Sequence, residues 1–295
     1  MNSRFSTYNP LINFIFFIAA VILGMIFQHP LFLAISLVSS ILFYITICGK
    51  SAFKLIAMLI PIFALVTITN PLVSTGGETV LFTYFGRNFT LEALVYGLIF
   101  ATMLSSMIIW FASYNQIMTS DKFVYIFGPI IPAISLIFTM VLRFVPNYRD
   151  KAKQISTARM CIGKYGAETR RIDKLSNATA VLSSLTTWAF ESGITTANSM
   201  KSRGYGSAKR TNYSIYKFGT ADILLSVLMI LLFAITIIAS VNGGMDIEVI
   251  PKIIMSDWDN TYTIIGAISY TILLLTPTII NVREVILWQT LKSKI

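Results

Sequence analysis

Charge is scarce in this chain. Of its 295 residues, 12% are charged and 55% hydrophobic, against roughly 25% charged in an ordinary soluble domain. That shortage, with a mean hydropathy of +0.73, excludes a soluble globular domain and indicates a membrane protein. Several apolar runs approach the ~20 residues that a helix needs to cross a bilayer. They do not alternate with period two, which argues against a β-barrel. Histidine and cysteine are scarce as well. The single histidine, His29, cannot build a metal site, and before Pro30 it reads as a turn or interface residue. Cys48 and Cys161, the only two cysteines, read as reduced and structural. No cleavable leader is expected: the run 11–27 lacks a small-residue cleavage site and is followed at once by a second apolar run, so it reads as a signal anchor.

What charge there is lies in one place. Residues 143–219 hold 14 Lys/Arg and 4 Asp/Glu, which accounts for the whole net charge of +10. The remainder is balanced. By the positive-inside rule this segment lies in the cytoplasm. Lys50 and Lys54 in an early connection, and Arg283, Lys292 and Lys294 after the last apolar run, agree with that side. The stretch 242–260, with four acids and one lysine, reads as external.

Hydropathy predicts an all-α polytopic membrane protein. Its six spans lie at about 11–27, 31–48, 55–73, 91–112, 221–241 and 262–280, and both termini are cytoplasmic. Three parts follow: N-terminal membrane helices (1–112), a cytoplasmic helical region (113–219) and C-terminal membrane helices (220–295). Pro61 and the pair Asn70-Pro71 either kink the third span for packing or break it to line a binding site. Pro129 and Pro132 suit a helix start. A long helix is expected from there into the basic segment, kinked at Pro146. Farther on, Ala178, Val181, Leu182, Leu185, Trp188 and Ala189 recur at helical spacing. They predict an amphipathic helix over about 177–203, roughly 40 Å long. The polar piece 166–177 is expected to connect the two.

No catalytic constellation is present. "CGKS" (48–51) resembles the tail of a phosphate-binding loop, but the glycine required five residues earlier is replaced by Tyr44. "GKYG" (163–166) lacks the Ser/Thr that must follow the lysine. The spans carry almost no ionisable side chains, Glu92 and Arg143 lying near segment ends. That disfavours a self-sufficient ion-coupled carrier.

Two arginines stand near expected helix ends with a glycine soon after: Arg159 with Gly163, and Arg203 with Gly204. Local pattern alone explains both as cap-proximal cations. Their shared place in the basic segment also suits a partner's carboxylates and carbonyls, or anionic lipid. Nucleic acid is a poor candidate, since no binding module is recognisable.

Here the chain resembles the transmembrane T component of energy-coupling factor (ECF) transporters, the EcfT/CbiQ family. "SMKSRGYG" (199–206) is close to the family's Ala-Met-x-x-Arg-Gly-Tyr signature. "STARM" (156–160) matches its Ala-Arg-Gly motif at Ala158 and Arg159. "YNP" (8–10) and "HP" (29–30) are weaker echoes. Met160 replaces the glycine of the first motif, and Ser202 the alanine of the second. The resemblance implies a non-enzymatic coupling subunit of a bacterial or archaeal cell membrane. Ala158, Arg159, Met160, Ser202, Arg203 and Gly204 would meet two ABC-type ATPases. The ATPases, not this chain, would use ATP and magnesium. Their motion would pass to a small membrane S component that binds a vitamin or similar micronutrient, with the stripe 178–194 as part of its platform. The alternatives are an ordinary ABC permease with its own substrate path, whose Glu-Ala-Ala loop is missing, and a non-transport membrane or lipid-binding scaffold.

Overall fold

The computed structural model describes residues 3–73, 76–84, 87–128, 132–163, 171–207, 216, 218–243, 247–248, 254–255 and 260–292. Most of the acidic stretch 242–260 lies outside these, as do residues 164–170 of the polar connection, Pro129, Lys294 and the basic flank 208–210.

Six apolar helices carry the expected spans: α1 (Pro10–Ile26), α2 (Pro30–Cys48), α3 (Ala52–Val73), α4 (Leu91–Ile117), α8 (Thr220–Val241) and α9 (Thr261–Lys292). Four segments are long and apolar enough to cross a membrane: Pro30–Val73, which holds α2 and α3, and the helices α4, α8 and α9. Pro10–Ile26 is shorter. The third span is unbroken, since α3 runs through Pro61 and Pro71. Two helices run beyond the hydropathy limits, α4 to Ile117 and α9 to Lys292. Polar residues there continue the helix, because backbone hydrogen bonds do not stop where the apolar run stops. Between α3 and α4 the chain forms an antiparallel hairpin, β1 (Val80–Tyr84) and β2 (Arg87–Thr90).

Short sequence signals set the helix starts. Asn9 caps α1, its Oδ1 accepting from the Leu11 amide at 3.1 Å, and Pro10 occupies the first turn without wasting a donor. His29 does the same for α2 through Nδ1, accepting from the Leu31 amide at 3.3 Å. Both dipeptides are therefore helix starts. Asp222 joins two elements: Oδ2 accepts from the Gly219 amide at 2.9 Å and Oδ1 from the Asn9 amide at 3.2 Å.

The chain forms two compact units, Met1–Lys122 with Tyr216–Ile295, and Phe123–Ile215. The first unit is built on an aromatic core. Phe5 meets Phe16, Phe17 and Phe43 edge-on, and Trp110 packs on Phe16 and donates to Ser36 Oγ at 3.3 Å. Small residues let helices approach closely. At Gly97 of α4 an added Cβ would stand 2.8 Å from the Thr67 carbonyl oxygen of α3, so only glycine fits. The buried charged side chains Glu92 and Lys122 have partners. Glu92 accepts from the Thr79 hydroxyl at 2.6 Å. Lys122, on α5 (Ser120–Phe127), donates to the Ser6 carbonyl and hydroxyl and to the Ile117 carbonyl. Burial brings its pKa down to about 8.

Candidate functional site

The second unit carries the paired arginines. It is made chiefly of α6 (Pro132–Cys161) and α7 (Arg171–Ser202). As expected, α6 is long and continues through Pro146. Helix α7 starts six residues earlier than the stripe predicts.

The two helices run antiparallel. Near the end of α6 and the start of α7, Arg159 Nη2 donates to Asn177 Oδ1 at 2.9 Å. Eleven residues back on α6 and eleven on along α7, Tyr148 meets Trp188 edge-on at 5.5 Å. Lys151 Nζ lies 5.5 Å from the centre of the same indole, a cation–π contact. Val181, Leu185, Trp188 and Ala189 are half-buried, whereas Ala178 and Leu182 are exposed. The predicted stripe is therefore only partly covered. Leu182, Phe190 and Ile194 leave apolar side chains open on α7.

At the end of α7, the Gly204 amide donates to the Lys201 carbonyl at 3.1 Å, and the Tyr205 amide to the Met200 carbonyl at 3.0 Å. With Gly204 at φ 81°, this is the Schellman pattern that closes a helix on a left-handed glycine. Arg203 is thus the cap residue itself. Ser202, Arg203 and Gly204 are all exposed, and Ser202 Oγ donates to the Asn198 carbonyl at 3.0 Å.

At the end of α6 the stop comes later relative to the arginine. Met160 is helical. The left-handed residue is Gly163, at φ 74°, whose amide donates to the Met160 carbonyl at 3.0 Å. Arg159 therefore sits four residues before the positive-φ glycine, and Arg203 one before. Arg159 is half-buried, while Ala158 and Met160 are exposed, Met160 by 51%. The substitution of Met160 for glycine does not strain the helix end, because Gly163 supplies the turn instead.

The structure does not bring the two arginines together. Asn177, which holds Arg159, is 26 residues before Arg203, a rise of about 39 Å along α7. Asn177 was not singled out in the sequence. Its signal is a polar side chain at the head of the row Val181, Leu185, Trp188 on the packed face of α7. Among the described residues no group of three or more His, Cys, Asp or Glu side chains is placed to hold a metal ion. Both cysteines are free thiols.

A family model described as CbiQ, cobalt transport protein, matches residues 1–213, a span that includes all six motif positions. No curated protein matches the chain.

Proposed function

Because the chain belongs to the CbiQ family of membrane transport components, the T components of energy-coupling factor transporters, we propose that it transmits the motion of two cytoplasmic ABC-type ATPases to a separate small membrane S component. One observation carries this reading. Two arginines occupy opposite ends of a single antiparallel helix pair, separated by a rise of about 39 Å along α7, and each stands beside a glycine-closed helix end. That separation suits two docking subunits better than one. A guanidinium offers a rigid fork of donors for the carboxylates and carbonyls of such a partner. ATP and magnesium belong to the ATPases. The exposed Leu182, Phe190 and Ile194 on α7 give the S component an apolar seat. The substrate, a vitamin or similar micronutrient, is chosen by that subunit.

The test is co-purification of the ATPases with the full-length chain, coupled to substrate uptake in vesicles. The double variant Arg159→Ala/Arg203→Ala should lose both. Full assembly and uptake in that variant would sink the docking assignment. The cytoplasmic side is read separately. Cys161 is exposed, so in a Cys48→Ser background an impermeant maleimide should label it in inside-out vesicles and not in intact cells.

A further inference from the structure

The extension of α9 beyond its apolar stretch shapes a cleft that the coupling function does not use. It has a volume of about 330 Å³ and lies between α9, the chain's first residues and the end of α2. Asn281, Glu284, Trp288, Gln289 and Lys292 line it. Their spacing of 3, 4, 1 and 3 puts them on one face of the helix. Arg4 faces them, its Nε 3.3 Å from Glu284 Oε2, and Trp288 Nε1 donates to Glu284 Oε1 at 3.3 Å.

Charge leaves this cleft short of an anion, while hydrogen bonding leaves one buried donor unpaired, Asn281 Nδ2, beside one buried acceptor, Glu284 Oε2, which has the Arg4 ion pair but no hydrogen bond. Arg4 balances Glu284, and Lys292 has no acidic partner among the described residues, so the cleft is net positive. Asn281 is only 5% exposed. Its Oδ1 accepts from the Phe5 amide at 3.1 Å, which fixes the orientation of the side-chain amide. Its Nδ2 is buried and has no hydrogen-bond partner. An unpaired buried donor costs free energy comparable to a lost hydrogen bond, and a ligand oxygen would remove that cost. Outside the cleft, Ile286, Leu287 and Leu291 expose apolar side chains, and Trp288 is 60% exposed. An indole beside an apolar belt, just past a span, belongs at the level of lipid headgroups.

We propose that this cleft binds the phosphodiester headgroup of an anionic lipid, with Asn281 Nδ2, Lys292 and Arg4 as its donors and the acyl chains along the exposed face of α9. The proposal rests on the orientation above only for the choice of the inner leaflet. Its headgroup preference is measured without that orientation, so the two readings fail separately.

The probe is brominated phosphatidylglycerol against brominated phosphatidylcholine, with the full-length chain reconstituted in proteoliposomes. Four tryptophans emit, so the signal taken is the wild-type quenching minus that of Trp288→Phe. Phosphatidylglycerol should quench preferentially, and Lys292→Gln should lower the preference by roughly fivefold, the expected effect of one cation near the surface. Asn281→Asp keeps the acceptor for Phe5 but replaces the donor with an anion, so it should abolish the preference while thermal unfolding confirms that the fold is kept. Equal quenching by both lipids in the wild type would overturn the site. So would an unchanged preference in Asn281→Asp, which would reduce the effect to general surface charge. Loss of the preference on adding millimolar inorganic phosphate would assign the cleft to a free anion instead of a lipid.

Discussion

The ends of α6 and α7 look alike in sequence and differ in structure. At α7, arginine and glycine are adjacent, and the helix stops on them. At α6, Met160 follows the arginine, and the helix runs on until Gly163. The delay of three residues is about 4.5 Å of rise. It leaves Arg159 inside the last turn, held by Asn177 of α7, while Arg203 stands at the cap, exposed. A tethered guanidinium has already lost part of its rotamer freedom, and an exposed one loses it on docking. The same residue type is thus presented in two ways, one held by a neighbouring helix and one exposed at the cap.

The strongest way to break the comparison is to remove both sides. Hydrogen bonds to charged groups are worth roughly 1.5–3 kcal/mol each, and ~1.4 kcal/mol is tenfold in affinity. We predict that Arg159→Ala/Arg203→Ala weakens ATPase association by roughly 100-fold or more and abolishes uptake. Arg203→Ala alone should cost on the order of tenfold. Arg203→Lys should cost nearly as much, since lysine keeps the charge but loses the fork. Titration of purified ATPases onto the reconstituted chain reads all three. Equal behaviour of Arg203→Lys and the wild type would show that charge alone matters.

A smaller effect isolates the tether. Asn177→Leu removes the acceptor of Arg159 and keeps a side chain of similar size on the packed face of α7. The expected loss of ATPase affinity is several-fold, about one ordinary hydrogen bond. In double-mutant cycles it should add nothing to Arg159→Ala and be additive with Arg203→Ala, because only the first pair shares a partner. Additivity with both would show that Asn177 serves α6–α7 packing and not the arginine.

Much of this was legible in the sequence because it depends on period and charge. The six apolar helices follow hydropathy. The existence and the end of α7 and the long α6 follow from helical spacing and from a proline tolerated by the helix, while the first six residues of α7 lie in the piece expected to be a polar connection. The limits of the reading are equally physical. The phase difference between the helix ends was hidden, because a motif match aligns Met160 with a glycine while the helix obeys the first left-handed residue that it meets. Asn177 was missed because its role requires α6 to lie beside it, a tertiary fact. The end of α9 was cut at the end of its apolar run, although polar residues such as Glu284 and Gln289 are good helix formers. The hairpin β1–β2 is too short to stand out beside the spans. The buried Lys122 depends on acceptors at Ser6 and Ile117, and no local pattern announces them.

The finest test exchanges the glycines that close the two helices. At both Gly163 and Gly204 an alanine must adopt a left-handed backbone, at a cost of ~1–2 kcal/mol. Space does not distinguish them much: a Cβ at Gly163 meets nothing within 4 Å, and one at Gly204 meets only the movable Ser207 hydroxyl at 3.0 Å. Position does. Gly204→Ala strains the residue next to Arg203 and unsettles the two hydrogen bonds that fix that cap. Gly163→Ala acts four residues from an arginine that Asn177 already holds. We predict a several-fold loss of ATPase affinity for Gly204→Ala and less than about twofold for Gly163→Ala, with the same small fall in thermal stability for both. Equal losses of affinity would mean that the ATPases read the helix ends themselves, and the tether of Arg159 would then have no part in docking.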